Sequence, residues 1–254
     1  MRHLMRAALL GLAVLGIAAF ALAVTGAVHA AEKVDLLLVL ASDVSRSVTP
    51  EKFKLQRDGY IAAVANSRVL EAIKGGRNGR IAVLFLEWSG LGNQKVVIDW
   101  TVIDGEQSAH AFGTRLLEEP RAFADRTSIS GGIEAAMAEL AKAPYESERQ
   151  TIDVSGDGTN NSGRDVAVVR DEALAKGIVI NGLVILSDSP MPWNPEHTNP
   201  PGGLAKYYRD NVTGGPGSFV MEAQNFDSFG EAILKKMIAE IADAGAAEPA
   251  PILR

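Results

Sequence analysis

The most informative segment of the chain is VDLLLVLASDVSRS, residues 34–47. Its first part, residues 34–41, is a nearly continuous apolar run, which is typical of a strand buried on both faces of a parallel sheet. A loop rich in short polar side chains follows from Asp43 onward. We therefore predict a central parallel strand whose carboxyl end carries a polar loop.

Strand-like and helix-like segments alternate outward from this strand. A capped helix is predicted to begin at Thr49-Pro50, and the segments 80–88 and 95–100 flank a Gly/Asn turn and predict an antiparallel hairpin. Further strands are predicted at 151–155, 178–185 and 218–223, and helices at 108–117, 130–143, 166–176, 204–211 and 226–244. The pattern predicts one doubly wound α/β domain, with a mostly parallel sheet, one antiparallel edge strand and helices on both faces.

The first thirty residues differ from the rest of the chain. Basic residues at positions 2 and 6 precede a run without charged residues, 7–31, and Val28-His29-Ala30 matches a small-x-small cleavage pattern. The predicted organisation is a signal peptide at 1–30, cleaved after Ala30, a domain at 31–245 and a flexible tail at 246–254. We therefore expect an exported protein, periplasmic or secreted. Because the apolar run is long enough to span a bilayer, an uncleaved membrane anchor is the alternative.

Composition excludes several classes of function. The 254 residues include 25 Lys and Arg against 31 Asp and Glu, for a net charge of −6. Nucleic acid is therefore not expected as a partner, since no basic excess is available to neutralise phosphates. The chain has no Cys, which excludes thiolate zinc sites, iron–sulfur clusters and cysteine nucleophiles. Any metal site must use oxygen or imidazole ligands.

Three polar segments lie near the ends of predicted strands or before a helix. They are residues 43–47, 126–132 and 155–158. Ligands of open α/β sheets bind at the carboxyl ends of the strands, so we expect the three segments to be neighbours. In the first segment Asp43, Ser45 and Ser47 alternate along the chain, so their short side chains can converge on one small cation. Oxygen ligands of this kind suit Mg²⁺, with Mn²⁺ or Ca²⁺ as alternatives.

Each segment also has an ordinary structural explanation. Asp43 and Ser47 can cap the helix that follows them, and Thr127 or Ser128 can cap the next one. Asp157-Gly158 is a common turn pair. Because three such features rarely converge in this pattern, the metal site is the preferred interpretation.

The three segments together resemble the metal-ion-dependent adhesion site of von Willebrand factor A domains. The matching features are Asp43-x-Ser45-x-Ser47, Thr127 within RTSISGGI, and Asp157 within GDG. Their order and strand contexts agree, and the resemblance covers roughly the whole segment after the predicted signal peptide. Longer phrases such as DVSGDGTNNSG, residues 153–163, are similar to a bacterial subfamily of exported A-like proteins whose role is not established.

The resemblance implies a role for each residue. Ser45, Ser47 and Thr127 would contact the metal directly, and Asp43 and Asp157 would hold it largely through bound water. The remaining coordination position would accept an Asp or Glu of a partner protein. It also implies that the C-terminal helix, predicted at 226–244, moves when ligand binds.

Further residues are predicted to line a partner-binding rim around the metal: Asn160, Asn161, Glu87, Trp193 and His197. The two asparagines follow Asp157, Glu87 ends a predicted strand near the same edge, and the last two lie in a Pro-rich segment, 187–217, predicted to be a long loop or lid. Turns and ordinary packing are the alternative explanations for these residues.

The sequence thus predicts a binding module that captures an acidic side chain of an unidentified exported or membrane protein. Enzymatic activity is not expected, because the chain lacks Gly-x-Ser-x-Gly, Gly-x-x-x-x-Gly-Lys and His-Glu-x-x-His motifs. One alternative is a metal-dependent phosphoesterase, which needs a base or a second carboxylate cluster near the metal. Another is a structural domain whose site is vestigial.

Overall fold

The structure is a computed structural model, and it describes residues 31–186 and 194–242. The predicted signal peptide, the predicted tail and Trp193 lie outside the described residues. Within the described ranges, no helix combines the length and apolar character needed to cross a membrane.

The elements follow one another in an α/β pattern. The strands are β1 (Glu32–Lys33), β2 (Leu37–Asp43), β3 (Ile81–Trp88), β4 (Gln94–Ile103), β5 (Tyr145–Glu146), β6 (Gln150–Gly156), β7 (Val179–Ile185) and β8 (Val220–Ala223). The helices are α1 (Pro50–Val64), α2 (Ser67–Lys74), α3 (Glu106–Glu118), α4 (Ile129–Leu140), α5 (Val166–Leu174), α6 (Pro195–Thr198), α7 (Leu204–Asn211) and α8 (Phe229–Ala242).

A six-stranded sheet with the strand order β4-β3-β2-β6-β7-β8 forms the centre of the domain. Neighbouring strands are parallel, except that β3 and β4 pair antiparallel. This confirms the predicted mostly parallel sheet with one antiparallel edge strand. β1 and β5 form a separate, short parallel pair.

The central strand β2 is buried along its whole length. Because successive side chains of a strand point to opposite faces, Leu38 and Leu40 pack into one core and Leu37 and Val39 into the other. Full burial of each such side chain contributes roughly 1.5–3 kcal/mol. Packing on both faces explains why this segment is apolar at nearly every position.

Helices cover both faces of the sheet. Residues of α1, α2, α3 and α8 belong to one core, and residues of α4, α5 and α7 belong to the other. This arrangement confirms the doubly wound α/β fold.

The observed elements differ from the predicted ones mainly at their ends. β4 continues to Ile103 because its last residues still pair with the start of β3, where Ile103 is opposite Ile81. The short helix α2, capped by Asn66, is not predicted from the sequence. In the Pro-rich segment α7 lies at 204–211 as predicted, and α6 adds one turn.

Candidate metal centre

The parallel register of β2 with β6 brings the first and third polar segments to the same edge of the sheet. Ser47 Oγ donates a hydrogen bond of 2.5 Å to Asp157 Oδ1, and Ser45 Oγ lies 3.1 Å from Ser47 Oγ. Asp43 is close enough to Asp157 for the two charges to repel each other. Four of the five predicted metal ligands therefore form one cluster.

The predicted ligands do not serve as helix caps. Asp43 Oδ1 accepts the backbone N–H two residues further on, at 2.7 Å, and so shapes the loop. The cap of α1 is Thr49, and the cap of α4 is Ser128. The capping explanation is therefore wrong for Asp43, Ser47 and Thr127, whereas Ser128 does cap the next helix, as the alternative expected.

Both carboxylates of the cluster are buried and incompletely satisfied. Asp43 is fully buried and Asp157 is 1% exposed, and the Oδ2 atom of each has no hydrogen-bond partner among the described residues. Burial, and then repulsion by Asp157, raises the pKa of Asp43 to about 8. Burial also raises the pKa of Asp157, although the hydrogen bond from Ser47 acts to lower it. Two buried carboxylates that repel each other are unstable unless a proton or a cation neutralises part of their charge.

The cluster fits a hard divalent cation. Its donors are two carboxylates and the hydroxyls of neutral side chains, which is the oxygen chemistry that Mg²⁺ and Ca²⁺ prefer. In the described part of the chain, no three His, Asp or Glu side chains by themselves form a metal-binding group. Any cation held here would therefore need the hydroxyls as ligands as well.

Gly156 leaves room beside Asp43. A Cβ at this position would lie 2.6 Å from Tyr208 Oη and 3.0 Å from Asp43 Oδ2. Tyr208 is fully buried, and its hydroxyl has no hydrogen-bond partner within the described ranges. Glycine is thus required because a large side chain of α7 packs against the site.

Thr127 lies at the same edge, but its connection to the cluster runs through His197. Thr127 Oγ1 is 3.2 Å from His197 Nε2, and the attraction of Asp157 acts on the same imidazole. Among the described residues, no hydrogen bond joins Thr127 directly to the other four predicted ligands.

The two asparagines of the predicted rim hold the loops together. Asn161 Oδ1 accepts the N–H of Thr127 at 2.9 Å, and the N–H of Asn161 donates to the Thr127 carbonyl at 2.9 Å. Asn160 Oδ1 accepts the N–H of Ser130 at 3.1 Å. Both residues follow Asp157 in the loop after β6, and these bonds fix that loop against the second polar segment.

The structure corrects the expectation for Glu87. This side chain is fully buried, forms an ion pair with Arg57 and accepts the N–H of Ala122 at 2.8 Å. It points between α1 and the segment before Thr127, so its carboxylate is inaccessible to a partner. His197 is also buried, with 4% of its surface exposed, so it lies beneath the rim surface rather than on it.

Sequence patterns did not single out two basic residues of the site. Lys52 Nζ lies 3.8 Å from Asp157 Oδ2 and donates to the Ser47 carbonyl at 3.2 Å. Arg121 Nη2 donates to the Ser45 carbonyl at 2.9 Å and to the preceding carbonyl at 2.7 Å. Lys52 could have been found from the sequence, because it lies in the first turn of the helix that directly follows the Asp43–Ser47 loop. Arg121 could not, because 76 residues separate it from Ser45.

A family model described as "Protein of unknown function (DUF1194)" matches residues 33–245. A search of curated proteins found no match to the chain.

Several solved structures are similar to the chain. Proximal thread matrix protein 1 of the mussel byssus is 14% identical, with a TM-score of 0.57 over 83% of this chain and 49% of that one. The pilus adhesin SpaC of Lactobacillus rhamnosus GG is also 14% identical, with a TM-score of 0.57 over 83% of this chain and 31% of that one. A von Willebrand factor type A protein of Catenulispora acidiphila is 15% identical, with a TM-score of 0.52 over 86% of this chain and 44% of that one.

These comparisons show that the fold is that of von Willebrand factor A domains, as predicted. The chain spans less than half the length of each of these structures. Another structure of the mussel protein has a metal-ion-dependent adhesion site (MIDAS) motif occupied by zinc. It is 16% identical, with a TM-score of 0.55 over 83% of this chain and 49% of that one.

Proposed function

Because the chain belongs to the DUF1194 family and has the von Willebrand factor A fold, we propose that it is a metal-dependent protein-binding module. Its Mg²⁺-type site captures an acidic side chain of a partner protein. The observation that carries this proposal is the pair of buried carboxylates, Asp43 and Asp157, each with one oxygen that lacks a hydrogen-bond partner among the described residues. A divalent cation compensates both charges at once.

The ligand chemistry supports capture of an anion. In this proposal Ser45, Ser47 and Thr127 bind the cation directly, and Asp43 and Asp157 hold it largely through water. Because the direct ligands are neutral hydroxyls and the two carboxylates act through water, an open coordination position of the cation favours an anionic oxygen, and a carboxylate supplies one. The all-oxygen set favours Mg²⁺, with Mn²⁺ or Ca²⁺ as alternatives. The mussel protein with a zinc-occupied MIDAS motif supports divalent metal binding by analogy of fold.

The proposed setting is outside the cytoplasm. The N-terminal sequence supports export, and a pilus adhesin shares the fold. The proposed partner is an exported or membrane protein that presents Asp or Glu. Nucleic acid is not proposed as a partner, because the chain is acidic.

One observation favours a second candidate, a metal-dependent phosphoesterase. His197 Nε2 lies 3.2 Å from the Thr127 hydroxyl, so a base is present next to the site. Its burial limits access by a substrate, so the binding function is preferred. Hydrolysis of p-nitrophenyl phosphate that requires metal and is lost in His197→Gln would favour the enzyme instead.

Metal titration tests the proposed site. Calorimetric titration of Mg²⁺, Mn²⁺ and Ca²⁺ into the metal-stripped protein should show one site, and Asp157→Ala should weaken binding by more than about tenfold. Asp125→Ala is the matched control, because this carboxylate is half-exposed, pairs with Arg46 and is outside the ligand set. Equal binding by both variants, or no binding to a folded wild-type protein, would overturn the proposal.

A peptide library tests the proposed ligand. The immobilised protein is presented with random displayed peptides in Mg²⁺, and bound peptides are released with a chelator. Recovered peptides should contain Asp or Glu, and replacing that residue by Asn or Gln should abolish their binding. Peptides that bind equally well with chelator present would contradict metal-dependent capture.

A further inference from the structure

His197 occupies an enclosed position beside the candidate metal centre. Its Nδ1 lies 3.2 Å from Thr159 Oγ1, and its Nε2 lies 3.2 Å from Thr127 Oγ1. Thr159 follows β6 and Thr127 precedes α4, so the imidazole connects two of the loops that form the site. It comes from α6, within the Pro-rich segment.

The backbone around His197 fixes the place of the ring. The His197 carbonyl accepts the N–H of Thr159 at 2.8 Å. A Cβ at position 158 would clash with His197 Nε2, so Gly158 is needed for the ring to reach this place. The backbone bond to Thr159 therefore holds α6 so that the His197 imidazole lies beside the site.

The Thr127 hydroxyl has His197 as its hydrogen-bond partner among the described residues. Asn161 engages only the backbone of Thr127. A hydroxyl has one hydrogen and two acceptor lone pairs. When its hydrogen is donated to Nε2, both lone pairs of the oxygen stay available for a cation.

The contacts of Nδ1 are compatible with the matching tautomer. A neutral imidazole has one N–H and one acceptor nitrogen. Thr159 Oγ1 lies 3.2 Å from Nδ1 and can accept from Nδ1–H, and in that tautomer Nε2 is the acceptor for Thr127. Asn161 Nδ2, itself a donor, lies further from Nδ1, at 3.4 Å, and is the weaker of the two neighbours.

We propose that His197 is a positioning residue of the metal site: its Nε2 accepts the Thr127 hydroxyl hydrogen and so aims the Thr127 oxygen at the metal. This inference rests on the proposed function. Residues that orient a ligand through its other hydrogen bond typically change metal affinity by about 10–100-fold when they are replaced. The Pro-rich segment thereby acquires a role in setting metal affinity.

A double-mutant cycle tests this coupling through Mg²⁺ affinity. His197→Ala should weaken binding about tenfold, and His197→Gln should restore most of it because its amide can accept the same hydrogen. Thr127→Val removes the hydroxyl, so adding His197→Ala to it should cause no further loss. Losses that multiply in the double variant would overturn the inference, as would a His197→Gln variant as weak as His197→Ala.

Nitrogen NMR of the imidazole in the metal-free protein gives a readout that does not depend on metal or on any variant. His197 should show a protonated Nδ1 and an unprotonated Nε2, and exposed His110 serves as the reference ring. A protonated Nε2 at His197 would overturn the inference while leaving metal binding by the wild type intact. Absence of metal binding by the wild type would instead refute the proposed function, and with it the positioning role of His197.

Discussion

Ser47 Oγ and Asp157 Oδ1 are joined by a 2.5 Å hydrogen bond across 110 residues of sequence. The bond closes the loop after β2 onto the loop after β6. It satisfies one oxygen of Asp157, while the other lies 3.8 Å from the ammonium of Lys52 and has no hydrogen-bond partner among the described residues. The pair is therefore held in place, and the Asp157 carboxylate still lacks a close positive partner. The predictions on pH and on Lys52 follow from this.

Metal binding should be linked to proton release from Asp43. In the metal-free protein the pKa of Asp43 is about 8, raised by burial and by Asp157, against about 3.9 in an unfolded chain. Because the proposed site holds the metal through the ionised carboxylate and its bound water, affinity for Mg²⁺ should rise up to about tenfold per pH unit between about pH 5 and 8. Titrations in buffers of different ionisation enthalpy measure the proton released. An affinity that does not change over this range would contradict the prediction.

The same shift makes the metal-free protein sensitive to pH. A carboxyl whose pKa is raised on folding stabilises the fold at low pH, and this stability is lost as pH rises from about 4 to about 8. Asp43→Asn should reduce this loss and be more stable than the metal-free wild type at about pH 8. Denaturant unfolding of both proteins at several pH values measures the difference. Parallel pH profiles would show that Asp43 is not the group responsible.

Removing the charge of Lys52 should tighten metal binding. Its ammonium lies 3.8 Å from Asp157 Oδ2 and its side chain is 32% exposed, so it competes with the cation through a partly screened attraction. Lys52→Met should tighten Mg²⁺ binding about two- to fivefold, less at high salt. Lys54→Met is the control, since Lys54 pairs with Asp58 on the exposed side of α1. Weaker binding in Lys52→Met would mean that its bond to the Ser47 carbonyl matters more than its charge.

Replacing Glu87 should affect stability rather than binding. Glu87→Gln leaves the buried guanidinium of Arg57 without its counter-charge, which typically costs about 3–5 kcal/mol. Denaturant unfolding measures the loss, and Mg²⁺ affinity of the folded fraction should be unchanged. Glu119→Gln, in the partly exposed pair with Lys95, should cost less than about 1 kcal/mol. Normal stability with impaired partner binding in Glu87→Gln would restore a rim role for this residue.

A buried ion cluster should anchor the C-terminal helix α8. Lys236 Nζ lies 2.8 Å from Asp153 Oδ1 in β6 and also pairs with Glu240, and all three side chains are buried. Lys236→Met removes the cation that pairs with both carboxylates and should destabilise the protein by roughly 3–5 kcal/mol. Lys235→Met, which breaks the exposed pair with Glu231, should have little effect. Equal stability of the two variants would contradict an anchoring role.

Movement of α8 on ligand binding stays a prediction from the family resemblance. Any shift of this helix relative to β6 must rearrange the Lys236 and Asp153 pair. Hydrogen exchange of α8 amides should therefore change when metal and an acidic peptide are added together. Identical exchange with and without both would contradict the movement.

Local patterns were sufficient to predict the central sheet and the polar loop that follows β2. β2 is recognisable because both of its faces are buried, and the alternation of Asp43, Ser45 and Ser47 follows from chain geometry alone. Glu87 was misassigned because the direction of a residue at a strand end depends on what packs there, and Arg57 of α1 fills that space.

The contact of His197 with Thr127 could not be predicted in the same way. The two residues are 70 positions apart, and α6 is a single turn in a Pro-rich segment with no apolar periodicity. Its place is set by tertiary contacts, including the bond between its carbonyl and Thr159. The sequence identified His197 as a residue of interest without indicating which ligand it contacts.

The most direct test of the metal site is an anomalous difference map from crystals of the protein grown with Mn²⁺. One strong peak is expected within about 2.5 Å of Ser45 Oγ and Ser47 Oγ, between Asp43 and Asp157. A map without a peak at this edge of the sheet, from crystals at saturating Mn²⁺, would mean that these residues do not form a metal site.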